Sequence, residues 1–241
     1  PQFSEDMETD RPDFSEGTKT VEAGHLQIEA GYTFTDNNDG GVITESHAVP
    51  GVLVRIGLAP KYELRIGWQG FIDSETTSSG DNAQSDGVGD MSIGTKFRLQ
   101  ENDAGWDVSS IIETSLPVGD DEVASDKHEP AVKLLFAKDL SSDLSFATNL
   151  NATYVSGSTE RYYELAASAS FGTDLTDTIG LFLEYYGQFP LENVPEENLH
   201  TLNGGLTLAL DENLQLDAFV GTGLNAEADD FFTGFGVSFR M

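Results

Sequence analysis

The sequence predicts an all-β protein: a transmembrane, antiparallel, up-and-down β-barrel of about 12 strands. Three observations lead to this prediction. Apolar and polar residues alternate along many segments, short turns alternate with long polar loops, and aromatic residues gather at both ends of the apolar faces. The chain contains no apolar run of the about 18 residues that a membrane-spanning helix needs.

Composition narrows the function classes. The 241 residues include 42 Asp and Glu against 12 Lys and Arg, for a net charge of −30. Such a chain repels phosphates, so no nucleic-acid partner is expected. The sequence has no cysteine, which excludes disulfide frameworks, thiolate metal sites and cysteine nucleophiles.

The strands are predicted from their period of two. In the last segment Phe231, Phe235 and Phe239 share one face, whereas Gly234 and Ser238 share the other. Segments of about 9–13 residues, the length that crosses a bilayer at a tilt, repeat this pattern. The predicted strands are residues 25–35, 46–58, 62–73, 87–99, 106–117, 130–138, 144–155, 160–173, 178–189, 199–210, 213–224 and 229–241.

The connections fall into two classes, which is typical of outer-membrane barrels. One class is short and rich in turn-forming Asp, Asn, Ser and Pro. The short turns are residues 58–61, 139–143, 174–177 and 211–213. The long, acidic loops are residues 36–45, 74–86, 118–129 and 187–197.

The placement of aromatic residues separates a barrel from a soluble β-sandwich, which also alternates. A lipid-facing surface has aromatic residues at both interfaces and aliphatic residues between them. The apolar-face aromatics near the short turns are Tyr62, Phe97, Trp106, Phe136, Phe146, Phe171 and Phe239. Those near the long loops are Tyr32, Phe34, Tyr154, Tyr163, Tyr185, Phe189 and Phe231. Because a sandwich core gives no reason for this sorting, the barrel is favoured and the sandwich remains the alternative.

The opposite face of the strands is predicted to line a lumen. Its basic residues form a predicted basic wall of Arg55, Arg65, Lys96, Arg98, Lys133 and Arg240. Its acidic residues are Glu29, Glu63, Asp90, Glu113, Glu164, Glu184 and Asp217. Its aromatic residues are Phe71, Tyr162, Phe182, Tyr186, Phe219 and Phe232. The charges either pair across strands or guide anionic solutes, and the two roles are compatible.

Residues 1–24 lack strand alternation, so the barrel proper is predicted to comprise residues 25–241. The first 24 residues are rich in acids and form either a periplasmic tail or a segment that plugs the lumen by docking on the basic wall. The candidate plug residues are Asp10, Arg11, Asp13, Phe14 and Glu16.

Enzyme and metal chemistry are weakly supported. His128, in an acidic stretch, and His200, on the apolar face, are the histidines considered for a catalytic role. Nucleophilic catalysis requires a nucleophile and an orienting group beside the base, and no serine lies on the faces adjoining His200. The stretch around His128 suits either a protease or metal cluster at the rim or a solvated polar loop, and the loop is favoured. The acidic loops are interpreted as solvent-exposed charged segments rather than as a calcium site. We therefore expect no catalytic residue, no metal and no cofactor.

Several motifs resemble one family of bacterial outer-membrane β-barrels, described as transporters of the phenol-degradation meta pathway. They are residues 9–17 (TDRPDFSEG), 24–32 (GHLQIEAGY), 63–68 (ELRIGW), 87–96 (GVGDMSIGTK), 214–217 (LQLD) and 221–225 (GTGLN). The resemblance implies an outer-membrane location and uptake of aromatic or hydrophobic compounds. Residues 236–241 also resemble the C-terminal signal that barrel-assembly machinery recognises.

Together these observations predict a monomeric outer-membrane channel for passive diffusion of small solutes. Its other expected partners are membrane lipid and lipopolysaccharide. The alternative is a structural or adhesive barrel with a packed lumen and no transport.

Overall fold

The computed structural model describes residues 6–102, 105–125, 127–157, 160–191 and 194–241. Their secondary structure is entirely β. The strands are β1 (Leu26–Asp39), β2 (Val42–Ala59), β3 (Tyr62–Trp68), β4 (Phe71–Ser78), β5 (Asp81–Val88), β6 (Met91–Gln100), β7 (Asp107–Leu116), β8 (Pro130–Asp139), β9 (Ser145–Ser156), β10 (Arg161–Asp174), β11 (Ile179–Pro190), β12 (Leu199–Asp211), β13 (Leu214–Gly223) and β14 (Phe231–Arg240). This described part holds no helix whose length and hydropathy would let it cross a bilayer.

All strands pair antiparallel in one sheet that closes on itself, because β1 pairs with both β2 and β14. The wall has 12 strands, since β3 continues into β4 and β5 continues into β6. β2 runs past both parts of the first composite strand, pairing with β4 over residues 42–49 and with β3 over residues 52–59. The prediction of a 12-stranded antiparallel barrel is therefore confirmed.

A glycine marks the break between β3 and β4. Gly70 has a φ of +88°, and a Cβ built on it would lie 2.4 Å from the carbonyl oxygen of Pro50 in β2. A side chain at this position would therefore strain the backbone and collide with the neighbouring strand. The break shifts the alternation of facing residues from β3 to β4.

Two of the predicted loops are β-hairpins instead. Residues 36–45 complete β1 and begin β2 around Gly40 and Gly41, and residues 74–86 form most of β4 and β5 around Ser79 and Gly80. All four turn residues have positive φ, as two-residue hairpin turns of the I′ type require. Polar residues on both faces concealed these strands, which extend the wall beyond its long-loop end.

Burial in the barrel is inverted relative to a soluble protein. On β11, Leu183 faces outward and is 55% exposed, whereas its neighbour Glu184 is fully buried. Among the described residues, 21 polar or charged residues are buried against 7 hydrophobic ones. The apolar surface therefore faces outward, toward lipid, and the polar surface faces the lumen.

Aromatic contacts on the outside cluster at both ends of the wall. Near the short turns, the rings of Tyr62 and Phe97 have centroids 4.9 Å apart. Near the long loops, the rings of Tyr154 and Tyr163 also lie 4.9 Å apart, and the Tyr185 hydroxyl contacts His200 Nδ1 at 2.7 Å. These are the interfacial positions that the sequence predicted.

Candidate functional site

The segment of residues 6–24, called the N-terminal segment below, lies inside the barrel. Its backbone contacts strands around the wall: Val21 N–H donates to Glu63 of β3, the Thr18 carbonyl accepts from Ser109 of β7, and Phe14 N–H donates to Glu184 of β11. The segment thus crosses the lumen. Residues 1–5 of the predicted 1–24 region lie outside the described residues.

Asp10 of this segment meets three cations of the wall. Its carboxylate contacts Arg65, lies 3.0 Å from Lys96 Nζ and lies 3.5 Å from Arg55 Nη1. Burial alone would raise the pKa of Asp10, but Arg55, Lys96 and Arg65 outweigh burial and hold its pKa well below the usual range. Asp10 is therefore an ionised anchor.

Wall carboxylates hold the same cations in place. Arg55 Nε lies 2.9 Å from Glu63, and Arg55 Nη1 lies 3.1 Å from Glu29. Arg65 Nη1 lies 3.0 Å from Glu63. A buried charge is tolerated only when it is paired in this way, so the cluster and the segment stabilise one another.

Glu16 makes a second anionic contact. Its carboxylate lies 2.7 Å from Arg65 Nη2 and 2.9 Å from Lys133 Nζ, and Lys133 also contacts Glu113 at 2.7 Å. Burial favours the neutral form of Glu16, but Lys133 and Arg65 outweigh it and lower the pKa. Arg55, Arg65, Lys96 and Lys133, called the cation cluster below, thus surround two acids of the segment.

Arg11 occupies a notch that glycines create. Its Nη2 lies 3.2 Å from Asp217 Oδ1. Gly31 and Gly236 are cross-strand partners on β1 and β14, and a Cβ on either would lie 2.3–2.4 Å from a guanidinium atom of Arg11. Both glycines occupy lumen-facing positions of their strands, but the local sequence pattern does not distinguish them from other small lumen-facing residues.

On the far side of the lumen, the ring of Phe14 stacks on Tyr186 with centroids 4.4 Å apart and planes 6° apart. The carboxylate of Glu184 accepts the N–H groups of Phe14 and Ser15 at 2.8 and 2.7 Å and the amide of Asn203 at 2.9 Å. The segment is therefore bound here through its backbone and a ring. Ser15 and Asn203 were not among the sequence-predicted residues.

Asp13 faces an unfavourable environment. Its carboxylate lies 3.4 Å from Ser170 Oγ. Burial and the nearby Glu184 carboxylate raise the pKa of Asp13 well above its usual value. Its charge therefore opposes docking of the segment, in contrast to the charges of Asp10 and Glu16.

The predicted basic wall divides into two groups. Arg98 pairs with Glu101 at 3.2 Å, and Arg240 donates to the side chain of Asn213 and the carbonyl of Glu212. These contacts place both arginines at the short-turn end. The other four basic residues form the cation cluster, which binds the two acids of the segment.

Asp90 and Glu164 have roles toward the long-loop end. Asp90 accepts the backbone N–H groups of Val118, Gly119 and Ser125 at 3.0–3.1 Å, so that residues 118–125 fold against the wall. Glu164 accepts from the amide of Gln188 at 3.0 Å.

The prediction that Phe71 faces the lumen is wrong. Its ring is 43% exposed, and its cross-strand partners Val49 and Val88 are exposed apolar residues of the outer surface. The break at Gly70 shifts the alternation by which Phe71 was assigned.

The other predicted aromatic residues line the lumen. Tyr162 is buried, and Phe219 and Phe232 are in contact with centroids 6.1 Å apart. Phe182 lines a cleft of 310 Å³ that opens near the short turns, beside Arg11 and Asp13.

The two histidines contact a backbone carbonyl and aromatic side chains. His128 Nδ1 lies 2.9 Å from the Ser115 carbonyl, and His200 Nδ1 contacts the Tyr185 hydroxyl. Asp126, next to the His128 stretch, lies outside the described residues. Within the described ranges, no group of three or more His, Asp or Glu side chains is arranged to hold a metal ion.

A family model described as “Putative MetA-pathway of phenol degradation” matches residues 9–241. The structure is similar to an outer membrane channel from Pseudomonas putida F1, with a TM-score of 0.74 and 15% identity over 97% of this chain and 100% of that chain. It is also similar to the NanC porin, with a TM-score of 0.56 and 12% identity over 90% of this chain and 100% of that one. No curated protein matches the sequence. At these identities the structural similarity shows the fold, which is that of outer-membrane β-barrels.

Proposed function

Because this chain belongs to the family described as “Putative MetA-pathway of phenol degradation”, we propose that it is an outer-membrane channel for passive diffusion of small aromatic or hydrophobic solutes. One observation supports the proposal: a separate segment crosses the lumen and is held there through ion pairs, backbone hydrogen bonds and one ring contact. A lumen filled in this way opens when the segment moves, whereas a lumen filled by wall side chains stays closed.

The aromatic preference of the proposal is supported by the lumen lining. Tyr162, Tyr186, Phe219 and Phe232 lie toward the long-loop half, where a solute from outside would arrive. Aromatic rings offer flat apolar surfaces on which a solute ring stacks.

The proposed partners follow from the two surfaces. The apolar belt suits membrane lipid, and the acidic outer loops suit divalent cations that bridge to lipopolysaccharide phosphates. We propose a monomer that barrel-assembly machinery inserts, since the closed sheet needs no second chain to complete it.

A disulfide lock tests whether the segment gates the lumen. Ser15 Oγ and Ser168 Oγ of β10 are 2.6 Å apart, and the chain has no native cysteine, so the double variant Ser15→Cys/Ser168→Cys introduces a single bridge. The refolded protein is first checked for the heat-dependent electrophoretic shift of a closed barrel. Single-channel currents in a planar bilayer are then recorded before and after adding a reductant.

We expect few openings from the oxidised variant and restored openings after reduction, with Ser15→Cys alone unaffected by the reductant. Equal conductance in the oxidised and reduced states would contradict gating by the segment.

A structural or adhesive barrel is the second candidate. The observation that favours it is the sheet of β1, β2, β4 and β5, which extends beyond the long-loop end and exposes the edge of β5. A heat-modifiable barrel without conductance in any form, including the reduced variant, would support this function over the channel.

A further inference from the structure

We propose that Arg65, Lys133 and Tyr186 form a lumenal binding site for free aromatic carboxylates, which Glu16 and Phe14 of the N-terminal segment occupy as an internal substitute. The inference rests on the proposed channel function, since a solute must reach the lumen. It adds a substrate class and identifies which side chains of the segment the solute replaces.

Arg65 is incompletely used by the segment. Glu16 binds Nη2, and Asp10 and Glu63 bind Nη1. The Nε–H of Arg65 is buried and has no hydrogen-bond partner among the described residues. An untethered carboxylate can accept from Nε and Nη2 together, in the bidentate geometry that is strongest for arginine. A free acid therefore makes a contact that Glu16 does not make.

The charge around this arginine suits an anion once the segment is displaced. The cation cluster has four positive residues, and the wall carboxylates that pair with it are Glu29, Glu63 and Glu113. Asp10 and Glu16 of the segment supply the remaining negative charge. Without them the wall carries one net positive charge here, in a chain whose total charge is −30.

The ring contact defines the second half of the ligand. Phe14 stacks in parallel on Tyr186, and Glu16 is only two residues farther along. Residues two apart have Cα atoms separated by at most about 7 Å. The segment thus presents a benzene ring and a carboxylate joined by a short flexible chain, and 3-phenylpropionate has the same two groups.

Competition with the segment gives the proposal its main consequence. Because the segment is tethered, its side chains are present at high effective concentration, and a free ligand must displace them. Weakening the docking of either Phe14 or Glu16 should therefore raise the affinity for the free ligand. At a site without an internal competitor, mutation of a contacting residue lowers the affinity instead.

The test is calorimetric titration of the detergent-refolded full chain with 3-phenylpropionate. Three analogues separate the two halves of the ligand: propionate lacks the ring, 3-phenylpropanol lacks the charge, and 3-cyclohexylpropionate lacks the aromatic face. We expect 3-phenylpropionate to bind most tightly.

Variants then test the substitution. Phe14→Leu should tighten binding by about three- to tenfold, the worth of one ring contact. Glu16→Gln should tighten it by about tenfold or more, the worth of one charged hydrogen bond. Arg65→Lys keeps the positive charge but removes the Nε and Nη2 pair that binds a carboxylate in bidentate geometry. It should therefore weaken the binding of 3-phenylpropionate and reduce its preference over 3-phenylpropanol. Phe71→Leu and Glu101→Gln are matched controls, which replace a ring of the outer surface and a rim acid outside this site.

No detectable binding to the wild type, Phe14→Leu or Glu16→Gln would overturn the inference, as would binding that neither variant tightens. These readouts do not require transport. A conducting channel that fails to bind 3-phenylpropionate therefore refutes only this site, whereas a non-conducting barrel that binds it refutes the channel function.

Discussion

The two sides of the lumen hold the same segment with opposite polarity. On the side of β2, β3, β6 and β8, wall cations bind carboxylates of the segment, namely Asp10 and Glu16. On the side of β11 and β13, wall carboxylates bind donors of the segment, namely the N–H groups at positions 14 and 15 and the Arg11 guanidinium. The first side binds ionised acids of the segment, whereas the second binds two of its backbone N–H groups, its Arg11 guanidinium and its Phe14 ring.

The comparison predicts that acid releases the first side by protonating carboxylates of the segment itself. The pKa values of Asp10 and Glu16 are lowered from the usual 3.8 and 4.5, so their contribution to docking is fully present above these values. It is lost as the pH falls through the lowered values. The pKa of Asp13 is raised, so its protonation on acidification favours docking and opposes this loss.

We therefore expect single-channel conductance to rise steeply as the pH is lowered below about 4, the largest of the effects predicted here. The double variant Asp10→Asn/Glu16→Gln should conduct at neutral pH and show little further increase. A double variant that conducts no more than the wild type at neutral pH would show that these ion pairs do not hold the segment.

Asp10→Asn should have the next largest effect at neutral pH, because it leaves three buried cations without a shared partner. Removing one member of a buried pair costs about 3–5 kcal/mol. Trypsin cleavage after Lys19, followed by mass spectrometry of the N-terminal fragment, measures the undocked population. Asp6→Asn, at an exposed position of the same segment, is the control, and equal cleavage of the two variants would refute the role of Asp10.

A smaller effect is expected on the second side from Gly236→Ala. The added Cβ would lie 2.4 Å from Arg11 Nε, so Arg11 must move from Asp217. Such overpacking costs about 1–3 kcal/mol. Gly51→Ala is the matched control, because its Cβ would meet only backbone atoms at 3.9 Å. The same trypsin assay should show faster cleavage for Gly236→Ala alone, and indistinguishable rates would mean that the notch does not position Arg11.

Sequence patterning predicted the wall because a period of two is a local property. Leu183 and Glu184 face opposite sides simply because they are adjacent on one strand. The pattern failed where this locality broke down. Phe71 follows a glycine that shifts the alternation, and the hairpin extensions have polar residues on both faces, so neither showed a hydrophobic period.

Charge complementarity between the acids of residues 10–16 and the basic wall suggested docking, but it did not identify the individual contacts. Those contacts depend on the register between strands that are far apart in the sequence. Gly31 lies beside Gly236 only because the first strand pairs with the last, and Glu184 reaches residues 14 and 15 only across the assembled lumen. No local pattern contains these relations.

The pairing of β1 with β14 also determines when the N-terminal segment can acquire its partners. The sheet closes only when the final strand is present, and the N-terminal segment immediately precedes the first. Its partners are distributed from β1 to β13, so they surround it only at the moment of closure. The segment therefore gains its full set of partners only once the cylinder is complete.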